Sequence, residues 1–197
     1  LAGAPVPAVA SLASGAAPQP AWARERLAVV DGAPWHSPVR QEELLRLLAD
    51  LRSRHPLTLL DVGNDLAEAA QAALRRCDQV VLVTTASQDA VEATRIALSR
   101  VHQADPFRLG TVVVALTSLH PRQYRHTARR LRLALGPGSA RLVPVPYDPA
   151  LATGHPLDLA RARAGTREAY LRIAGLIAEP GESEAWFSRP DRVRAAR

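Results

Sequence analysis

Leu57-Thr58-Leu59-Leu60-Asp61-Val62-Gly63-Asn64-Asp65 opens a run that passes through an alanine-rich segment into Asp78-Gln79-Val80-Val81-Leu82-Val83-Thr84-Thr85. The apolar stretch before Asp61 predicts a buried strand that ends in a carboxylate and a glycine. The alanine-rich segment predicts a helix that returns to a second buried strand. A strand, a crossover helix and a parallel strand form the unit from which α/β sheets are built.

Working outward, five short apolar runs predict strands: Leu27–Val30, Leu57–Val62, Gln79–Thr84, Thr111–Leu116 and Arg141–Val145. They are nearly continuous rather than alternating, the pattern of strands covered on both faces of a parallel sheet. Helical spacing lies between them. Leu44, Leu47, Leu48 and Leu51 form a stripe in Gln41–Leu51, with Ser37 and Pro38 as N-cap and first-turn proline. Leu66, Ala69, Ala70, Ala73 and Leu74 repeat the spacing in Asp65–Arg76, with Asn64 as its cap. Val91, Leu98 and Val101 do so in Gln88–Gln103, capped by Ser87. A fourth helix is expected over Pro121–Leu135, ended by Gly136, and a fifth over Arg167–Ala178, capped by Thr166 and stopped before Pro180. The expected fold is α/β and Rossmann-like: a mostly parallel five-stranded sheet with helices on both faces. In its closed-up form the strands lie side by side in chain order.

The length of 197 residues and a hydrophobic content of 47% suit a domain with a substantial core. Residues 1–24 read as an Ala/Pro-rich linker, 25–180 as the α/β domain and 181–197 as a polar, Arg-rich tail that is loose or docks through Trp186 and Phe187. The chain has no methionine, which suggests a portion of a longer product or a misplaced start. No apolar run approaches the roughly 18 residues of a membrane-spanning helix. The single cysteine, Cys77, precludes an internal disulfide and suits a reducing compartment. It reads as a small buried hydrophobe rather than a nucleophile.

Asp61 is the first candidate for chemistry. A carboxylate at the C-terminal end of a buried parallel strand lies at the edge where open α/β folds bind ligands. In nucleotide hydrolases such an aspartate holds Mg²⁺. Gly63 would let backbone approach a phosphate closely, and Asp65 adds a second carboxylate one turn away. The structural alternative is that Asp61 ends the strand while Asn64 and Asp65 cap the next helix. All 25 basic residues are arginine. With no lysine, the glycine-rich loop whose lysine reaches the nucleotide phosphates is not in this chain. Leu135-Gly136-Pro137-Gly138-Ser139 follows a helix rather than a strand and reads as a C-cap and turn.

Taken together, Leu27 to Ala178 resembles the C-terminal two-thirds of the MinD/ParA family of deviant Walker ATPases, closest to the MinD-like proteins found alongside type VII secretion systems. The resemblance rests on Leu59-Leu60-Asp61-Val62-Gly63 as a Walker B strand, Val80-Val81-Leu82-Val83-Thr84-Thr85 with Ser87-Gln88-Asp89-Ala90-Val91 behind it, Val112-Val113-Val114, Val143-Pro144-Val145-Pro146-Tyr147-Asp148-Pro149 and Gly154-His155-Pro156-Leu157. It implies a P-loop ATPase that positions or regulates a larger machine. It implies Asp61 as the catalytic, magnesium-side residue and Gly63, Asp65, Thr117, Pro146 and Asp148 as nucleotide contacts. ATP and Mg²⁺ are then cofactors of the complete protein, with none expected for this chain alone. A protein partner or a homodimer is implied, in the cytoplasm, where the family also meets membrane or nucleoid. The chain departs from the family in lacking the phosphate-loop unit and the strand after it. It also has Ala115-Leu116-Thr117-Ser118 where the family has an adenine-reading asparagine.

The net charge of +6 is concentrated in one place. Between Asp105 and Asp148 there is no acid, but there are Arg108, Arg122, Arg125, Arg129, Arg130, Arg132 and Arg141. Tyr124, Ala128, Leu131 and Leu135 would turn one face of the fourth helix to the sheet. Arg122, Arg125, Arg129 and Arg132 would make a basic stripe about 15 Å long on another. Such a stripe suits DNA phosphates, anionic lipid or an acidic protein, against the plainer reading of a solvated face. A non-catalytic module that binds an acidic partner through this helix is therefore the alternative function. The histidines show no metal spacing, His155 reads as structural or solvated, and no Gly-x-Ser-x-Gly elbow is present.

Overall fold

A computed structural model describes residues 21–24, 27–29, 40–63, 68–87, 89–118, 120, 124–135, 140–151 and 160–178. The chain divides into two compact units, residues 1–76 and 77–197.

In the first unit, β1 (Ala21–Arg24), at the end of the stretch read as linker, pairs antiparallel with β2 (Leu27–Val29). Helix α1 (Gln41–Arg54) packs against α2 (Glu68–Arg76). The leucine stripe does what its spacing predicts: Leu44 and Leu47 are buried, with Leu48 and Leu51 half-buried. On α2 the buried residues are Ala70, Ala72 and Ala73, small enough for close helix contact. The Arg52 guanidinium donates to the Arg76 carbonyl oxygen at 3.0 Å and so closes the C-terminus of α2. Arg40 is the N-cap of α1, and its backbone N–H reaches the Glu43 carboxylate at 3.4 Å. Ser37, Pro38 and Asn64, the expected caps, lie outside the described residues.

The second unit is a three-stranded parallel sheet in the order β3 (Val81–Thr85), β4 (Val113–Thr117), β5 (Arg141–Val145). Helices α3 (Ala90–Ala104), α4 (Tyr124–Leu135) and α5 (Ala164–Ala178) alternate with the strands. One face carries α5: Val113, Val143 and Val145 pack with Ala169 and Leu176. The other carries α3 and α4. There Val112 and Val114 meet Leu98 and Val101, and Leu116 meets Ala128 and Leu131. Val112 through Leu116 are all buried, as a strand covered on both faces must be. Ala128, Leu131 and Leu135 face the sheet as their spacing predicts. Among the described residues, no helix is long and apolar enough to cross a membrane.

The five-stranded, closed-up sheet is corrected. Residues 57–62 form no strand and join no ladder, and Leu59 is 74% exposed. Without a partner strand the backbone of this apolar run has no ladder to enter, and apolar composition alone does not make one. Leu27–Val29 is a strand, but in an antiparallel hairpin separate from the parallel sheet. A second correction concerns α5, which begins at Ala164, so Thr166 lies inside the helix and is fully buried rather than capping it. Asp89, not Ser87, is the N-cap of α3. Cys77 lies at the exit of α2 as expected but is half-buried.

Leu131 is fully buried between α4 and the sheet. Leu131→Ala should therefore destabilise the second unit by about 2–5 kcal/mol, read as a lower urea midpoint at unchanged slope. A loss below about 1 kcal/mol would show that this α4 face is not core.

Candidate functional site

The parallel register brings Thr85, Thr117 and Val145 abreast, so the C-terminal ends of all three strands open on one edge. Backbone bonds continue the alignment past the strands: the Ala86 N–H donates to the Thr117 carbonyl oxygen at 2.9 Å, and the Ser118 N–H to that of Val145 at 3.2 Å. The edge is rich in hydroxyls. Thr117 Oγ1 donates to the Thr84 carbonyl oxygen at 3.1 Å, tying β4 to β3. Thr94 Oγ1 donates to the Ala90 carbonyl oxygen at 2.6 Å and meets the Thr84 hydroxyl at 3.1 Å. Thr85 Oγ1 lies 3.3 Å from Ser87 Oγ, and both residues are exposed. Thr117 was named from the sequence and Ser87 only as a cap; Thr84, Thr85 and Thr94 were not singled out, although Thr84-Thr85-Ala86-Ser87 directly after an apolar strand was a legible signal.

Pro146 and Asp148 lie where β5 leaves the sheet. A Cβ added at Gly165 would stand 3.3 Å from Pro146 Cγ, so this glycine lets the start of α5 approach the β5 exit. Asp148 is only 4% exposed, and both its oxygens are engaged. Oδ2 accepts from the Arg163 backbone N–H at 2.7 Å and Oδ1 from that of Ala150 at 3.0 Å. The bond from Arg163 is the chief reason that the carboxyl titrates below its ordinary value. The Ala150 bond helps, and burial opposes it. The Thr166 hydroxyl is close enough to add to this effect, although its geometry falls short of a hydrogen bond. Thr117, Pro146 and Asp148 thus share one edge, with Asp148 joining the β5 exit to the entry of α5.

Asp61 and Gly63 belong to the first unit. Asp61 is exposed, follows an irregular segment and accepts through Oδ1 from the Gly63 N–H at 2.9 Å. Gly63 has φ of +59°, a conformation that favours glycine, so the pair makes a tight turn. The expectation that Asp61 ends a buried strand is corrected by this geometry. Asp65 lies outside the described residues. Among the described residues no group of three or more His, Cys, Asp or Glu is placed to hold a metal ion. With one Asp61 oxygen spent on its own turn and no lysine in the chain, the described residues do not fit Mg²⁺-ATP.

Helix α4 is the basic element. Arg129, Arg130 and Arg132 are exposed, and among the described residues no acid pairs with them. Some arginines elsewhere are matched, Arg40 with Glu43, Arg46 with Glu42, Arg54 with Asp50 and Arg95 with Glu92, while Arg100 of α3 is exposed with no ion pair among the described residues. The side chains of Arg122 and Arg125 lie outside the described residues. His126 and Arg130, exposed on the same helix, extend the basic surface beyond the stripe expected from spacing.

No protein-family model matches the chain, and a search of curated proteins finds no relative.

Because the Asp148 carboxyl is depressed in the folded state, its contribution is complete above the unfolded value and is lost as pH falls through the folded one. Asp148→Asn should lower the melting temperature at pH ~7 and flatten the acid limb below pH ~4. The amide's NH₂ group would face a backbone N–H, donor against donor. Equal melting temperatures for the two proteins at neutral pH would remove Asp148 as the tie between β5 and α5.

Proposed function

We propose that this chain is part of a MinD/ParA-like P-loop ATPase with a Rossmann-like fold. The complete protein then acts in nucleotide-dependent positioning or regulation of a larger machine such as a secretion system, in the cytoplasm or at a membrane or nucleoid from it. The observation that carries this reading is the parallel β3-β4-β5 order with Thr117, Pro146 and Asp148 gathered at its C-terminal edge. Open α/β sheets bind ligands at that edge, and the same segments carry the family resemblance. Phosphate and Mg²⁺ chemistry belongs to sequence outside this chain. Two measurements test this. Calorimetry of this chain with ATP and Mg²⁺ should show no low-micromolar site. The upstream coding sequence should carry, in frame, a glycine-rich loop containing lysine. A start codon close upstream with no such loop would overturn the reading.

A second reading has its own observation, the unmatched arginines of α4. It makes the chain a non-catalytic module that holds an acidic partner through this helix. Charge reversal at Arg125 and Arg129 should weaken binding to duplex DNA and anionic vesicles without unfolding. If both residues meet phosphates, the slope of log affinity against log salt should fall by about 2. Binding that survives the double reversal, or does not weaken with salt, would make the stripe a solvated face.

A further inference from the structure

Helices α3 and α4 pack against each other on one face of the second unit's sheet. Their outer side is not uniformly polar. On α3, Ile96 stands two residues from buried Thr94 and Leu98, and on α4, Leu133 stands two residues from fully buried Leu131. Two residues turn a helix by roughly 200°, so both side chains leave the layer on the side away from the sheet. Both are exposed, Leu133 to 74%. Phe107, 94% exposed, stands on the turn Pro106–Thr111, which packs against α3 and sends Leu109 into the core shared by Leu98 and Leu135.

The cations on this outer side are not neutralised. Arg100 follows Ile96 by four residues, while Arg129 and Arg130 precede Leu133 by four and three, so each shares a flank of its helix with an outward apolar side chain. All three are exposed, and no acid among the described residues forms an ion pair with them. Helix α4 has no acid, and the one acid within α3, Glu92, is bonded to Arg95 at 3.0 and 3.1 Å. Asp89 and Asp105 stand at the ends of α3 as its caps, and Asp105 Oδ1 accepts from the Phe107 N–H at 3.1 Å.

An occupant must satisfy positive charge and apolar surface within one helical turn of each other, on two helices at once. Duplex DNA offers phosphates but sets Ile96 and Leu133 against a charged backbone. A second copy brings the same positive charge. A protein interface gathers apolar side chains at its centre and leaves charge to the rim, whereas here the two alternate. The boundary of an anionic bilayer meets both needs: phosphates take the guanidinium groups at the ends of their long stems, and hydrocarbon takes the shorter apolar side chains between them.

We infer that the outer side of the α3–α4 layer is a docking surface for an anionic lipid bilayer, with Ile96, Leu133 and Phe107 entering the headgroup–acyl boundary and Arg100, Arg129 and Arg130 meeting lipid phosphates. The inference rests on the acidic-partner reading and deepens it, because it names lipid as the partner and adds α3 to the surface.

The test is co-sedimentation of the full chain with phosphatidylcholine vesicles containing about 30% phosphatidylserine, against vesicles of phosphatidylcholine alone. The anionic vesicles should bind at least about tenfold more tightly, and less so as salt rises. Ile96→Ser, Phe107→Ser and Leu133→Ser combined should weaken that binding by about tenfold or more. Arg100→Glu alone should weaken it by about fivefold or more. The substituted side chains are exposed, and an unchanged melting temperature shows that each variant is folded. Equal binding to the two kinds of vesicle, or anionic binding untouched by the triple serine variant or by Arg100→Glu, would overturn the surface. Binding to duplex DNA without binding to anionic vesicles would overturn the lipid assignment and leave the acidic-partner reading standing. Binding to neither would remove both.

Discussion

Every layer of the second unit depends on one strand that must be shielded from water on both faces and hydrogen-bonded along both edges. Val112 to Leu116 meet α5 on one side and α3 with α4 on the other. β3 and β5 satisfy its backbone in unbroken parallel register. Burying a valine or leucine side chain stabilises by about 1.5–3 kcal/mol, so five consecutive buried residues concentrate much of the driving force in one segment. The helices follow from this constraint. Each needs an apolar stripe toward β4 and is unconstrained on its outer face, which is why α4 can carry arginines outward without cost to the core.

The neighbouring strand shows what the constraint leaves open. Leu82 and Thr84 of β3 turn toward α3, while Val83 is 64% exposed on the side where α5 covers β4 and β5. β3 is also an edge of its sheet. The apolar content of β3 therefore exceeds what its described surroundings use, as does that of Leu57, Leu59 and Leu60.

The same comparison explains how much was legible in the sequence. Continuous apolar runs located β3, β4 and β5 to within two residues; for β4 the reason is cover by helices on both faces, whereas β3 is apolar although one of its faces is exposed. The rule misled for Leu57–Val62, which has the composition of a buried strand but neither a ladder nor cover. Periodicity placed Ala128 and Leu131 correctly, since a stripe of spacing 3.6 has one way to face a sheet. Of the candidate ligand residues, the edge position of Thr117, Pro146 and Asp148 could be read from strand ends. The bonds from the Ala150 and Arg163 N–H groups to Asp148 could not, because backbone donors leave no mark on the residue types that supply them. Asp61 was read through its supposed strand and lost its setting along with that strand.

The central claim is that a three-stranded parallel sheet centred on β4 organises the described residues of the second unit while residues 57–62 stand outside any ladder. Native-state amide hydrogen exchange addresses it directly, since protection reports which backbone N–H groups are held in cooperative structure. Amides of residues 113–117 should be the slowest to exchange, opening only with global unfolding, while those of residues 57–62 exchange within the range of exposed loops. Protection of 57–62 comparable with that of β4 would contradict the account and restore a larger sheet.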